Sequence, residues 1–217
     1  MNGRSPDGIV FDLDGTLWDT SAVCAAAWNR ALLIQGVVRA PITASDIGSI
    51  MGLTHDQIFP RLFPDINPEK RERLSQECYL QEAEFIERQG GLLYPGVAQG
   101  LLALREVCPL FIVSNCQAGY IEQFLRGTGL QDCFRDFECH GNTGLSKGEN
   151  LRDLVQRQRI HQVWYVGDTL GDAQAARFAG LPFIFVEYGF GQCDEAEMRF
   201  SEFSRLVDWI GSEVHAF

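Results

Sequence analysis

A short apolar run followed at once by two closely spaced acids most constrains what this chain can fold into. Residues 9–19 read IVFDLDGTLWD. Side chains alternate along an extended strand, so Asp12 and Asp14 would share one face if the strand continued. Gly15 favours a turn instead, because glycine adopts backbone conformations that are closed to other residues. We therefore predict that both acids lie at the carboxyl end of a strand, where open α/β sheets bind ligands.

The acid pair indicates a specific chemistry. Carboxylates this close repel each other, and a hard divalent cation such as Mg²⁺ would compensate by taking carboxylate oxygens as ligands. One acid could then attack a substrate while the other carries a proton, because neighbouring groups separate the pKa values of such a pair. A turn of this composition also occurs as an ordinary loop, so a purely structural interpretation stays open for the run alone.

The next part of the chain has helical patterns and several helix starts. Residues 43–46 and 54–57 resemble capping boxes. Asn67, Pro68 and Glu69 supply a cap, a first-turn proline and a first-turn acid, which predicts a long charged helix reaching about residue 89.

No convincing strand pattern occurs between residues 20 and 89. A chain of 217 residues is long enough for one core with a large insertion. We therefore predict a helical cap domain over residues 19–91, inserted into a catalytic core of residues 1–18 and 92–217. Gly90 and Gly91 either form a hinge at its end or simply end the last helix.

From residue 92 onward the pattern alternates between helix and strand. Strand patterns cover residues 110–113, 136–139, 163–166 and 183–186, with helical patterns between them. The first and third of these runs are nearly continuously apolar, as in strands that helices cover on both faces. The sequence therefore predicts an α/β fold with a Rossmann-like, doubly wound parallel sheet and an inserted helical cap.

Polar side chains occur at further predicted strand ends. Ser114 and Asn115 follow one strand, Asp168 follows another with Asp172 close behind, and Lys147 lies in a loop between them. A hydroxyl, an amide and an ammonium suit phosphoryl oxygens, and a second pair of acids suits a cation. Taken singly, the first two could merely end a strand, the lysine could be a surface charge and Asp172 could cap a helix. Their order along one sheet favours a shared site.

Composition excludes several classes of function. The chain has 18 basic and 29 acidic residues, and a net charge of −11 opposes binding to nucleic acid or anionic lipid. No targeting segment or membrane-spanning apolar run is visible. The seven cysteines are scattered without CxxC pairs, which is typical of reduced thiols in a cytoplasmic protein. A nucleotide P-loop is rejected because Ser146 precedes Lys147 and Gly148 follows it, whereas that motif needs glycine before the lysine and Ser or Thr after it.

Together these motifs resemble those of the haloacid dehalogenase superfamily. The similarity is to its phosphatases with a helical cap after the first strand, such as phosphoglycolate phosphatases and their β-phosphoglucomutase relatives. It covers nearly the whole chain and comprises four motifs in order: DLDGT at residues 12–16, IVSN at residues 112–115, Lys147, and GDTLGD at residues 167–172.

The resemblance implies roles for the acids. Asp12 would be the nucleophile that forms an aspartyl-phosphate, and Asp14 the general acid and base. Mg²⁺ would be held by the Asp12 carboxylate, the backbone carbonyl of Asp14 and Asp168, with Asp172 nearby.

The resemblance also implies binding residues. Ser114 and Lys147 would hold the transferring phosphoryl group, with Asn115 beside them, and Thr16 would help to orient Asp14. His55 lies in what resembles the substrate-facing loop of the cap and could meet the substrate. An exposed residue at a helix start is the plainer interpretation of His55.

The activity implied is Mg²⁺-dependent hydrolysis of a small phosphorylated metabolite, of the phosphoglycolate or sugar phosphate type, by a monomer or weak dimer. A phosphosugar mutase would keep the same motifs. A dehalogenase is disfavoured because Asp14 is present. A receiver-like or silent signalling module is disfavoured as well, because the acid pair ends the first strand and every motif position is filled.

Overall fold

The computed structural model describes residues 6–215, with the side chains of residues 55 and 213–215 outside the described part. Eight strands occur in the described chain: β1 (Gly8–Phe11), β2 (Trp18–Asp19), β3 (Leu92–Leu93), β4 (Leu110–Ser114), β5 (Phe134–Cys139), β6 (Val163–Gly167), β7 (Phe183–Val186) and β8 (Met198–Phe200). The α-helices are α1 (Ser21–Ile34), α2 (Ala44–Gly48), α3 (His55–Leu62), α4 (Pro68–Gln89), α5 (Val97–Leu104), α6 (Tyr120–Thr128), α7 (His140–Thr143), α8 (Lys147–Gln158), α9 (Leu170–Ala179) and α10 (Phe203–His215).

Six strands form one parallel sheet in the order β5-β4-β1-β6-β7-β8. The first strand is central, with Ile9 paired to both Leu110 and Trp164. Alternate residues of β1 enter two separate hydrophobic clusters, Ile9 on one face of the sheet and Val10 on the other. Helices cover both faces, which confirms the predicted doubly wound α/β fold and explains the nearly continuous apolar runs.

Two features of the sheet were not predicted. β8 extends it beyond β7 as a short, incompletely buried edge strand. β2 and β3 form a separate antiparallel pair, in which Trp18 faces Leu93 and Asp19 faces Leu92. Strands of two or three residues are too short to show an alternating pattern, so the sequence gives no periodic signal for them.

The four helices α1 to α4, residues 21–89, form what we term the helical insertion. The capping boxes at residues 43–46 and 54–57 begin α2 and α3, and the Asn67 side chain accepts a hydrogen bond from the Lys70 N–H at the start of α4. α1 packs along α4. A buried hydrogen bond also joins these two helices, since the Trp28 indole of α1 donates to Glu82 of α4 at 2.7 Å.

The glycine pair lies where the insertion returns to the sheet. Gly90 ends α4 with φ of 67° and donates its N–H to Ile86 at 2.8 Å, which fits the helix-ending interpretation. A Cβ on Gly91 would lie 2.7 Å from atoms of Trp18 and Thr20. Gly91 therefore allows the two crossings of the chain to lie directly against each other.

No helix in the described part of the chain combines the length and apolar character needed to span a membrane.

Candidate active site

The site lies at the carboxyl edge of the sheet, around its central strand. Asp12 follows β1, Ser114 ends β4, and Asp168 follows β6. Each of these three polar side chains is at least 96% buried. Adjacent parallel strands end at the same edge, so residues up to 156 positions apart in sequence meet here.

Gly15 shapes the turn that carries the acid pair. Its φ is +86°, and a Cβ at this position would lie 2.2 Å from Asp168 Oδ2. Both the backbone conformation and the close approach therefore require glycine. This turn places the chain immediately after Asp14 directly against Asp168, the acid that follows β6.

Lys147 connects two acids at the centre of the site. Its Nζ lies 2.8 Å from Asp12 Oδ1 and 2.7 Å from Asp172 Oδ1. All three side chains are at least 95% buried. Burial alone would lower the pKa of Lys147, but the charges of Asp12 and Asp172 raise it above its usual value. The lysine is therefore a fixed cation beside Asp12, not a surface charge.

Asp172 is held on both oxygens. Oδ1 also accepts a 2.9 Å hydrogen bond from the Tyr165 hydroxyl, and Oδ2 accepts hydrogen bonds from the Thr169 N–H and hydroxyl in the capping box of α9. Burial raises the pKa of Asp172, but Lys147 and these donors lower it below its ordinary value overall. Asp172 therefore both caps a helix and positions the lysine.

Asp12, Asp168 and Asp172 form a group that could hold a metal ion. One oxygen from each lies within 4.8 Å of the others. Burial and the charge of Asp172 raise the pKa of Asp12 well above its ordinary value, and burial raises that of Asp168 to about 7. Three buried carboxylates facing one lysine leave an excess of negative charge, and a divalent cation with hard oxygen ligands fits that excess.

Asp14 lies apart from that group and has its own donors. Its Oδ1 accepts hydrogen bonds from the Thr20 hydroxyl at 3.0 Å and the Tyr120 hydroxyl at 2.8 Å. Burial raises the pKa of Asp14 to about 6, while the two hydroxyls limit the rise. A carboxyl group with such a pKa can both give and take a proton near neutral pH.

The predicted role of Thr16 differs from its contacts. Its hydroxyl donates to Asp168 Oδ1 at 3.5 Å, and the hydroxyl that contacts Asp14 belongs to Thr20. The reason is geometric, because the turn at Gly15 directs the chain toward Asp168 before it enters α1. Thr20 and Tyr120 are thus site residues that the motif pattern did not indicate.

The two residues at the end of β4 have different surroundings. Ser114 is buried, and its Oγ accepts the Cys116 N–H at 3.2 Å, which leaves its own proton available. Asn115 donates from Nδ2 to the Gly52 carbonyl of the helical insertion at 2.8 Å. Asn115 therefore connects the sheet to the insertion.

A cavity of about 270 Å³ lies between the insertion and the sheet edge, with Asp14 in its wall. Residues from both parts line it, including Leu53 from the insertion and Tyr120 from α6. His55 was predicted to meet the substrate in this region, but its side chain lies outside the described part of the structure. Glu82 and Gln117 also line the cavity, where the Gln117 amide donates a 2.7 Å hydrogen bond to Glu82. No sequence motif indicated either residue.

Comparisons with known proteins identify related sequences and folds. A family model described as haloacid dehalogenase-like hydrolase matches residues 9–186. A phosphoglycolate phosphatase of Synechococcus elongatus is 32% identical over 93% of this chain and 91% of that protein.

Solved structures show the same fold. A haloacid dehalogenase-like hydrolase of Streptococcus pneumoniae superposes with a TM-score of 0.83 at 20% identity, covering 96% of this chain and 99% of that one. A structure from Haemophilus somnus, described as a predicted phosphoglycolate phosphatase, also gives 0.83 at 20% identity, covering 95% and 98%.

Proposed function

Because this chain belongs to the haloacid dehalogenase-like hydrolase family, we propose that it is a Mg²⁺-dependent phosphomonoesterase working through an aspartyl-phosphate intermediate. The observation that carries the proposal is the buried arrangement in which Lys147 joins Asp12 to Asp172, with Asp168 close by. The arrangement fixes one carboxylate, supplies one cation and leaves negative charge for a metal to balance.

Asp12 is the nucleophile of the proposed reaction. Lys147 holds its Oδ1 in place at the end of β1. A carboxylate oxygen of Asp12 forms a bond to phosphorus while the bond from phosphorus to the leaving oxygen breaks. Water then attacks the same phosphorus and releases phosphate, which restores the free carboxylate.

Asp14 moves the proton in both steps. It gives a proton to the leaving oxygen in the first step and takes one from the attacking water in the second. Thr20 and Tyr120 both donate to its Oδ1, which supports a fixed orientation of the carboxyl group in the cavity wall.

The metal site would use the acids around Asp12. Asp12 and Asp168 would hold Mg²⁺ directly, together with the backbone carbonyl of Asp14. A bound Mg²⁺ supplies positive charge that stabilises the transferring phosphoryl group. Both oxygens of Asp172 already accept hydrogen bonds, so we assign it chiefly to holding Lys147.

The phosphoryl group would be held by Ser114 and Lys147. The Ser114 hydroxyl keeps a proton to donate, and the Lys147 ammonium lies within hydrogen-bond distance of Asp12. Both are buried, so their interactions with a phosphoryl oxygen would be little screened by water.

Residues 19–91 would act as the cap that closes over a small phosphorylated metabolite. Two hydrogen bonds from the loop after β4 reach the insertion, Asn115 to Gly52 and Gln117 to Glu82, which supports a closed arrangement. All seven cysteines are free thiols, which supports the cytoplasm as the location. We expect a monomer or weak dimer.

Phosphate release from a panel of small phosphomonoesters, with Mg²⁺ and with a chelator, tests the proposed function. We expect release only with Mg²⁺, and a phosphoryl label that stays on the wild-type protein after a rapid quench. Hydrolysis that proceeds equally well with the chelator, or without any labelled protein, would contradict the proposal.

A further inference from the structure

The cavity beside Asp14 is lined mainly by hydrocarbon. Its apolar walls on the insertion side come from Trp28, Ile47, Ile50, Met51, Leu53 and Ile58. If Asp14 protonates the leaving oxygen, the group attached to that oxygen must occupy this cavity. The chemistry of the walls therefore describes the leaving group.

Two acids, Asp14 and Glu82, line the cavity, and none of its described lining residues is Lys or Arg. Its one histidine, His140, has Nδ1 engaged with the Leu145 carbonyl at 2.9 Å. The described arginines of α4 have partners elsewhere: Arg71 donates to the Ile66 carbonyl, Arg73 pairs with Glu69, and Arg88 pairs with Glu84. The insertion thus directs these cations away from the place where a substrate anion would lie.

Four side-chain donors in the cavity wall already have acceptors. The Gln117 amide and the Trp28 indole both donate to Glu82, and the Tyr120 hydroxyl donates to Asp14. Asn115 donates from its amide to Gly52, while its Oδ1 is buried with no hydrogen-bond partner among the described residues. The group left unsatisfied is an acceptor, so it would take a donor from the ligand.

From these observations we infer that the substrate's leaving group is uncharged and mainly apolar, carries a hydroxyl that can donate to Asn115, and bears no carboxylate. The inference rests on the proposed phosphomonoesterase function. A carboxylate in this cavity would face two acids and occupied donors, and burying a charge without partners is costly. A hydroxyl at the same place would instead give the buried Asn115 Oδ1 the hydrogen-bond donor that it lacks.

Two substrates of nearly equal size separate these cases: 2-hydroxyethyl phosphate and phosphoglycolate, which differ by a terminal hydroxymethyl or carboxylate. We expect kcat/KM to be higher for the hydroxyl compound by about tenfold or more, with saturating Mg²⁺. The assay is run at about pH 8, where Glu82, whose pKa burial raises to about 7, is ionised.

Variants of the cavity wall then show which residues cause the preference between the two substrates. Glu82→Gln removes one negative charge from the cavity wall. It should lower the ratio of kcat/KM for 2-hydroxyethyl phosphate to kcat/KM for phosphoglycolate by at least about threefold. Glu84→Gln removes the same charge two residues away on the exposed side of α4 and should leave the ratio unchanged. Leu53→Arg places a cation at the half-buried edge of the cavity and should raise kcat/KM for phosphoglycolate specifically.

The outcomes are distinct. A wild-type preference for phosphoglycolate would overturn the inference and leave the proposed function standing. Discrimination that neither Glu82→Gln nor Leu53→Arg changes would show that another surface selects the leaving group, and would overturn the inference too. If no ester on the whole panel were hydrolysed with Mg²⁺, the proposed function would fail and this inference with it.

Discussion

At the edge of the sheet buried acids are paired with a lysine, whereas the cavity beside them has a mainly apolar wall and acids whose donors are uncharged. Asp12 and Asp172 share one ammonium within 2.8 Å. Glu82, across the cavity, has two uncharged donors and no cation within the described contacts. The first region is suited to a doubly charged phosphoryl group, and the second to an uncharged remainder.

This contrast predicts where each kind of substitution should act. A change at the sheet edge should affect every substrate, because each one brings the same phosphoryl group. A change in the cavity should affect substrates unequally, because only their leaving groups enter it.

Asp12→Asn should have the largest effect. It removes the nucleophile while keeping nearly the same shape, so we expect turnover to fall at least about 10⁴-fold for every ester. Phosphate release and circular dichroism check activity and folding together. Asp153→Asn, the same change on an exposed turn of α8, is the control that should keep full activity. Normal hydrolysis by a folded Asp12→Asn protein would show that Asp12 is not the nucleophile.

Asp14→Asn should slow both chemical steps. We expect kcat to fall about a hundredfold or more for natural alcohol esters, because the leaving alkoxide then receives no proton. An ester with a good leaving group, such as p-nitrophenyl phosphate, should lose less in the first step. Tyr120→Phe keeps the acid but removes one of its donors, so it should be less damaging than Asp14→Asn. An unchanged rate with Asp14→Asn would exclude an acid and base role.

Glu82→Gln should alter the pH dependence of stability. Burial raises the pKa of Glu82 from 4.5 to about 7 in the folded protein, so between these values the folded state keeps a proton that the unfolded state releases. The free energy of unfolding should therefore fall as pH rises through this window, by at most about 3 kcal/mol, and the variant should lack this loss. Urea denaturation from about pH 5 to about pH 8 measures it. Parallel pH profiles for wild type and variant would contradict the prediction.

Asp168→Asn should weaken Mg²⁺ alike for all substrates. We expect the Mg²⁺ concentration for half-maximal activity to rise about tenfold or more, by one common factor. Leu53→Ala is the control variant. It should change the order of kcat/KM among the substrates and leave the Mg²⁺ concentration for half-maximal activity unchanged. Should Asp168→Asn reorder substrates, or Leu53→Ala shift the metal requirement, the division between the two regions would fail.

The sheet edge could be predicted because its residues lie directly after buried strands. Asp12, Ser114 and Asp168 follow apolar runs, and parallel strands bring their ends together. The alternation of helix and strand patterns predicted the doubly wound sheet. Helical patterns and capping signals predicted the helices between residues 20 and 89. The assignments of catalytic and metal-binding roles stay predictions until the variants are measured.

The cavity could not be predicted, because its residues come from separate helices and loops. Trp28, Glu82 and Gln117 meet only after α1 packs on α4 and the loop after β4 reaches them. Each residue alone fits an ordinary helix or loop. The same holds for Tyr120, whose hydroxyl reaches Asp14 across 106 positions of sequence.

The pairing of β2 with β3 has a mechanical consequence. The chain leaves the sheet for the insertion once and returns once, and these two crossings are hydrogen-bonded side by side, with Gly91 pressed against Trp18. Because the two crossings are hydrogen-bonded, they form one two-stranded connection between the sheet and the insertion, and a displacement of one crossing is transmitted to the other. Thr20 lies immediately after β2 and donates to Asp14, so such a displacement would reach the proposed proton carrier through this hydrogen bond.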